Sequence, residues 1–125
     1  MTYVLLSPDV VIALHDAALN PGEIAGLAQD KSLDGALGRV ENRLIYGMIG
    51  DVFDLAAAYA TAISRVHCFN DGNKQTAFEC MNFCLDMHGI EITWQPEEVG
   101  DKIIALARGL IQEDDLANWL RARTR

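Results

Sequence analysis

The sequence predicts an all-α fold, a compact helical domain in which two central helices flank one polar loop. Two observations support this fold class. Apolar residues recur at helical spacing through several long segments, and proline or glycine stands where those segments begin or end. The chain has 125 residues, half of them hydrophobic, which fits a single domain over residues 1–125 with one core.

The first predicted helix starts at residues 7–9, Ser-Pro-Asp, with serine as the N-cap, proline at the first helical position and an acid in the first turn. It ends at residues 20–22, Asn-Pro-Gly. His15 lies inside this helix, and we interpret it as a buried or half-buried core residue because no partner motif surrounds it. Residues 3–6 and 90–94 are expected to be short extended pieces, the second of them strand-like.

Residues 20–35 form a polar connection that contains several glycines. One helical turn is expected near residues 23–28, and Lys31-Ser32 is expected at the exposed tip. A connection of this length is typical of a binding loop or flap.

A second helix is predicted from Gly35 through Ile45. Arg39 and Arg43 are four residues apart and therefore share one face of it. We favour a solvated basic edge as the explanation of this pair, and a substrate-facing edge is the alternative.

The two central helices are predicted on either side of the polar loop. Residues 51–66 carry apolar side chains at the spacing of one helical face. Residues 76–88 repeat the pattern, and Gly89 follows as a C′ residue. Cys80 and Cys84 are four residues apart, so they are expected to share a buried face as reduced thiols.

Two more helices are predicted near the C-terminus. Pro96 starts the first of them, and its buried apolar stripe is expected to run to Leu110. Asp114 or Asp115 is expected to cap the last helix, and the basic residues 121–125 are expected to fray.

The formal net charge of −8 argues against a surface built to bind nucleic acid or an anionic membrane. It accommodates a basic partner more easily. No segment has the length of a transmembrane helix, and the start of the chain lacks the pattern of a signal peptide. We therefore expect a cytoplasmic protein without direct nucleic acid binding.

The chemistry of the chain is concentrated in residues 67–76, HCFNDGNKQT, directly before a predicted helix. A helix N-terminus can hold an anion through its free N–H groups and its dipole. Gly72 leaves room for a phosphate, and Lys74 adds a positive charge. Asp71 offers the oxygen ligand that Mg²⁺ prefers beside phosphates, and His67 can serve as a base at neutral pH. These residues predict a site that transfers part of a nucleotide.

Each of these residues also has a structural explanation. His67 can cap the preceding helix, and Asp71 and Asn73 can be turn residues around Gly72. Lys74 can be a solvated lysine. On spacing alone both interpretations stay open, because short motifs often match by chance.

The stretch from 67 to 74, HCFNDGNK, resembles the signature of the Fic/Doc superfamily. Fic proteins have glycine and arginine after the asparagine, whereas lysine at the position of Lys74 is typical of the death-on-curing (Doc) branch. Residues 14–16, residues 33–37 and Arg65 also resemble Doc sequences. The likeness therefore covers most of the chain.

The resemblance implies the toxin of a type II toxin–antitoxin module, an ATP-dependent protein kinase that phosphorylates a threonine of elongation factor Tu and blocks translation. By position, His67 would be the base, Asp71 would hold Mg²⁺, and Lys74 would neutralise phosphate charge. The implied catalytic residues are His67, Asp71, Asn73 and Lys74, and the implied nucleotide-binding residues are Arg65, Gly72, Asn73, Lys74 and Gln75.

Gln75 departs from the family pattern, which has arginine at this position. Glutamine donates hydrogen bonds but brings neither a charge nor a bidentate fork. We therefore expect weaker ATP binding than in a typical Doc protein, or a compensating cation from Arg65, Arg39 or Arg43.

The sequence contains no Ser/Thr-x-x-x-Glu-Gly/Asn segment, the self-inhibitory signature of some Fic proteins. The resemblance thus implies an inhibitor in trans, a Phd-like antitoxin whose C-terminal segment folds as a helix in a groove. Two alternatives remain: a Fic-type nucleotidyltransferase that transfers AMP to a protein hydroxyl, and a catalytically weakened Doc that acts as an antitoxin-binding module. An mRNA-cleaving toxin is disfavoured by the acidic charge.

Overall fold

The computed structural model describes residues 3–28 and 32–124. The helices in these ranges are α1 Pro8–Ala18, α2 Leu33–Ile45, α3 Val52–Val66, α4 Asn73–Met87, α5 Pro96–Ala107 and α6 Glu113–Arg123. The predicted all-α fold is confirmed. None of the described helices is long and apolar enough to cross a membrane.

Helix α3 is the centre of the molecule and packs against α2, α4, α5 and α6. Leu55, Tyr59 and Ile63 are fully buried along it, and buried alanines fill the positions between them. The small alanine side chains let neighbouring helices approach closely, and α4 has the most extensive contact with α3. The Tyr59 hydroxyl accepts a hydrogen bond from the Leu6 N–H at 3.0 Å, which fastens the N-terminal segment to this core.

Two helices begin earlier than the sequence pattern predicted. Helix α2 begins at Leu33, because the Ser32 hydroxyl caps it by accepting a hydrogen bond from the Gly35 N–H at 2.9 Å. Lys31, expected at the loop tip, lies outside the described residues. Helix α4 begins at Asn73, three residues before the predicted start, so the second half of the polar motif forms its first turn.

Neither segment between helices has the regular structure expected of it. Residues 23–28 form no helical turn; Leu27 instead makes an isolated antiparallel bridge with Phe69. The predicted strand at residues 90–94 is also wrong, since Ile92 makes an isolated bridge with Thr124 and no ladder. An alternating apolar pattern indicates a strand only if a neighbouring strand is present to pair with it, and residues 90–94 have no such neighbour among the described residues.

Two expectations for the C-terminal helices, the end of the buried stripe of α5 and the cap of α6, are wrong. Leu110 is 72% exposed because α5 ends at Ala107, before the apolar stripe reaches it. The N-cap of α6 is Gln112, which forms a capping box with Asp115. The Gln112 N–H donates a hydrogen bond to the Asp115 carboxylate at 2.8 Å.

The C-terminal residues up to Arg123 belong to α6, where the sequence predicted a frayed end. Arg121 donates to the carboxylates of Asp51 and Asp54 at the start of α3 at 2.6–2.9 Å, and Arg123 pairs with Glu98. These ion pairs fasten α6 to its neighbours. Arg125 lies outside the described residues.

Candidate active site at the start of helix α4

His67 connects α3 to the motif loop in a left-handed backbone conformation, with φ 55° and ψ 52°. Among the described residues no other non-glycine residue has a positive φ. This conformation costs an L-residue about 1–2 kcal/mol, so the packing on either side must impose it. The His67 side chain is exposed and makes no hydrogen bond to the described residues. Its imidazole is therefore free to accept a proton from a substrate.

Phe69 anchors the loop in the core. Its side chain is 2% exposed, and its ring stacks on the imidazole of His15 with centroids 3.8 Å apart and planes within 7°. The Asn73 side chain accepts from the Phe69 N–H at 3.0 Å and donates to the Phe69 carbonyl at 2.9 Å. Both ends of the Asn73 amide are thus committed to closing the loop. Any contact of Asn73 with phosphate would come from its backbone N–H.

Asp71 is held at both its backbone and its side chain. Its carbonyl accepts a hydrogen bond from Nε2 of His15 at 2.7 Å, and its Oδ2 accepts from the Ile24 N–H at 2.8 Å. Oδ1 accepts no hydrogen bond from the described residues and is available to a cation. No cluster of three His, Cys, Asp or Glu residues that could hold a metal exists in the described ranges. One carboxylate oxygen fits Mg²⁺ if phosphate and water supply its other ligands.

Gly72 is the N-cap of α4, with φ 77°. A Cβ there would lie 3.3 Å from Leu19 Cδ2 and 3.6 Å from His15 Nε2, so a side chain would be crowded as well as strained. No side chain caps the helix, and its first turn contains no acid. The N–H groups at this end lie beside the exposed Lys74, an arrangement that can hold an anion, and anion binding here stays a prediction.

Two predicted nucleotide-binding residues make contacts with other parts of the chain. Gln75 donates to Oε1 of Glu79, one helical turn on, at 3.1 Å. Arg65 donates from Nε to the Leu106 carbonyl at 2.9 Å and from Nη2 to the Ile111 carbonyl at 3.1 Å. Arg65 therefore joins α3 to the end of α5, and a role for either residue at phosphate stays a prediction.

The two arginines of α2 have different surroundings. Arg43 makes a two-bond ion pair with Glu113 at the start of α6, with distances of 3.0 and 2.5 Å. Arg39 is exposed and makes no hydrogen bond to the described residues. The favoured solvated edge therefore describes Arg39, whereas Arg43 is structural. Of the three cations considered as substitutes for the missing motif arginine, Arg39 is the one without such a contact.

The connection before α2 lies against the motif loop. The Ala28 N–H donates to the Cys68 carbonyl at 2.8 Å, and the Asn70 N–H donates to the Gly26 carbonyl at 3.1 Å. Together with the bond from Ile24 to Asp71, these contacts place residues 24–28 along one side of the site. The backbone pairing of this segment with the motif loop was not predicted, and its role as a binding loop or flap stays a prediction.

A mostly apolar groove of about 420 Å³ starts at the first turn of α4. Sequence reasoning did not identify it, since its walls come from segments up to 30 residues apart. A signal in the sequence is Ile104, an apolar residue that falls outside the predicted buried stripe of α5. The groove is lined by Lys74, Gln75, Phe78, Trp94, Pro96, Val99, Gly100, Ile103 and Ile104.

Comparison with known proteins agrees with the motif. Residues 5–85 match the Fic/DOC family. Over 117 residues the chain is 35% identical to the protein kinase Doc of Escherichia phage P1, an alignment that covers 93% of this chain and 92% of that protein. The matched family range includes the whole motif loop and helices α1 to α3.

Proposed function

Because the chain belongs to the Fic/Doc family, we propose that it is the toxin of a toxin–antitoxin module. In this proposal it is a Doc-type protein kinase that transfers the γ-phosphoryl group of ATP to a threonine of elongation factor Tu and so blocks translation. One observation carries the proposal: an unbonded imidazole at His67 lies five residues before an uncapped helix N-terminus that bears Lys74.

The residues of the loop divide the reaction among them. His67 accepts the proton of the threonine hydroxyl as the bond from that oxygen to the γ-phosphorus forms. The bond from the γ-phosphorus to the β–γ bridging oxygen breaks, and ADP leaves. The N–H groups of α4 and the ammonium of Lys74 orient the phosphates and offset their charge. Asp71 would hold Mg²⁺, which supplies further neutralisation of the phosphate charge when bound.

Lys74 supports phosphoryl transfer over AMP transfer. Its exposed side chain lies in the first turn of α4, where Fic proteins have glycine. The family resemblance associates that lysine with the Doc branch and its kinase activity. A protein kinase is also what the phage relative is named.

The environment of Gln75 favours a second candidate function, a weakly active Doc that acts chiefly by binding its antitoxin. The side chain at this position bonds to Glu79. The site thus lacks the motif arginine, and the glutamine in its place is bonded to a carboxylate one helical turn away.

Replacing Gln75 with arginine is expected to lower the Kd for Mg·ATP about 3- to 10-fold, as a charge-assisted hydrogen bond contributes about 1.5–3 kcal/mol before competition is counted. Glu79 will compete for the new guanidinium, so the double variant Gln75→Arg/Glu79→Gln is expected to bind more tightly still. Isothermal titration with a non-hydrolysable ATP analogue measures both. Glu79→Gln alone is the control, because it raises the net charge by one, as Gln75→Arg does, without adding a guanidinium. Equal affinities for the ATP analogue in all variants would refute the expectation.

The groove beside α4 supports a Phd-like antitoxin as the partner. It is apolar and open, and it starts at Lys74 and Gln75, so a helix lying in it would reach the first turn of α4. We propose that the C-terminal segment of the antitoxin folds there and obstructs nucleotide binding.

Ile104→Glu is expected to weaken antitoxin binding at least 10-fold, because it places a charge on the wall of an apolar groove. Ile104 is 40% exposed, so the fold should tolerate the change. Tryptophan fluorescence reports binding, because Trp94 lines the groove. Leu110→Glu is the matched control. Leu110 lies just after α5 and is 72% exposed, but it does not line the groove. If both variants bind the antitoxin equally well, the groove is not its site.

The proposed function is tested in a cell-free translation reaction. The purified chain, incubated with ATP, is expected to stop protein synthesis, and fresh elongation factor Tu is expected to restore it once the chain has been removed. His67→Ala should leave synthesis unaffected. Inhibition that fresh elongation factor Tu does not relieve would exclude this target.

A further inference from the structure

We propose that His15, a buried residue of α1, is a positioning residue for the motif loop: it fixes the peptide between Asp71 and Gly72 and so aims the groups that bind phosphate and Mg²⁺. Its role in a reaction rests on the proposed function, whereas its effect on the loop can be measured without any reaction.

The contacts of His15 are directed at the loop. The side chain is 0% exposed and lies 56 residues before Asp71 in the chain. A carbonyl only accepts hydrogen bonds, so the 2.7 Å contact with the Asp71 carbonyl places a proton on Nε2 of His15. The ring face stacks on Phe69. A single imidazole therefore supports the loop through both its edge and its face.

The hydrogen bond acts where the loop turns into α4. Asp71 is fixed at its carbonyl by His15 and at Oδ2 by the Ile24 N–H. Gly72 follows with φ 77°, and a Cβ there would lie 3.6 Å from Nε2 of the imidazole. Without the bond from His15 the backbone torsions on either side of the Asp71–Gly72 peptide could change, which would alter the direction of the Asp71 carboxylate relative to the first N–H groups of α4. The donor on His15 opposes that change.

A purely stabilising role makes a different prediction. In that case the ring stack and the hydrogen bond both contribute to folding, and activity follows stability. The second ring nitrogen, 3.1 Å from the exposed Asp16 carboxylate, does not distinguish the two roles. A test must therefore remove the ring stack on Phe69 and the hydrogen bond to Asp71 one at a time.

Two substitutions separate them. His15→Phe keeps an aromatic ring on Phe69 but removes the donor. His15→Gln removes the ring but keeps an N–H donor at the same number of bonds from Cα. We expect His15→Phe to be at least as heat-stable as His15→Gln. We nevertheless expect kcat to fall on the order of 10²-fold in His15→Phe, the effect of misplacing catalytic groups by about 1 Å. His15→Gln should remain within about 5-fold of the unchanged chain, since it keeps the hydrogen bond to the Asp71 carbonyl.

The order parameters of the Gly72 and Asn73 amides, from ¹⁵N relaxation, give a readout that needs no substrate. They are expected to fall in His15→Phe and to be kept in His15→Gln. If the unchanged chain transfers no phosphate, the proposed function fails, and the order parameters still decide on His15. Unchanged order parameters in His15→Phe, or activity that follows melting temperature across both variants, would overturn the positioning role.

Discussion

Replacing His67 with alanine is expected to lower the rate of phosphate transfer about 10²- to 10⁴-fold, the usual contribution of a general base. The imidazole is exposed and makes no hydrogen bond to the described residues, so its removal should cost little stability. The affinity for Mg·ATP should stay within about 2-fold, because the phosphate-binding groups belong to α4. Single-turnover kinetics with labelled ATP separate the chemical step from binding.

His88→Ala is the matched histidine control. Its Nδ1 donates to the Cys84 carbonyl at 2.7 Å and its Nε2 accepts from the Val4 N–H at 2.9 Å, so it holds the N-terminal segment on the end of α4. This variant should lose stability and keep its transfer rate. A His67→Ala variant that transfers phosphate as fast as His88→Ala would exclude His67 as the base.

At alkaline pH the buried thiols of Cys80 and Cys84 are expected to destabilise the fold. Burial raises the pKa of each from 9.0 to about 12. The thiols stay protonated in the folded chain but ionise in the unfolded one. The stability is therefore complete below about pH 9 and is lost as the pH rises toward 12. Each thiol lowers the free energy of unfolding by up to about 1.4 kcal/mol per pH unit, or about 4 kcal/mol for both at about pH 10.5.

Urea unfolding at pH 8 and at pH 10.5 measures this loss. The double variant Cys80→Ala/Cys84→Ala leaves cavities and has a lower stability at both values, so the comparison concerns the difference between them. That difference should shrink by most of about 4 kcal/mol in the variant. Tyr59, whose pKa burial raises to about 12, accounts for part of the remaining slope. An equal pH dependence in both proteins would contradict the assignment to the thiols.

The sequence predicted what local patterns determine. Helix α3 has a strong apolar stripe and Asp51 as its cap, and its predicted position is confirmed. The predicted Ser7 cap of α1 is also confirmed, because its hydroxyl accepts a hydrogen bond from the Val10 N–H. The sequence does not identify Gln112 as the cap of α6, because aspartate, present at 114 and 115, caps helices more often than glutamine. The sequence pattern predicts Asn73 in the loop and not in α4, because the N-cap of α4 is Gly72, which has no side chain to mark the start of a helix.

The sequence predicted which residues make up the candidate site, but not the hydrogen bonds that hold them in place. The motif named His67 and Asp71, and the family match agrees with it. The interpretation of His15 as a buried core residue is confirmed. Its bond to Asp71 depends on how α1 packs against α4, however, and no pattern in the sequence records that contact. The carbonyl partners of Arg65 are likewise backbone groups of a distant segment.

The central claim is that the loop before α4 transfers the γ-phosphoryl group of ATP to a protein hydroxyl. The most direct measurement incubates the purified chain with Mg²⁺ and elongation factor Tu, in parallel with ATP labelled at the γ- or the α-phosphate, and repeats both with His67→Ala. We predict label on the factor from the γ position alone, and none with the variant. Label from the α position would contradict the claim and assign AMP transfer to the same residues.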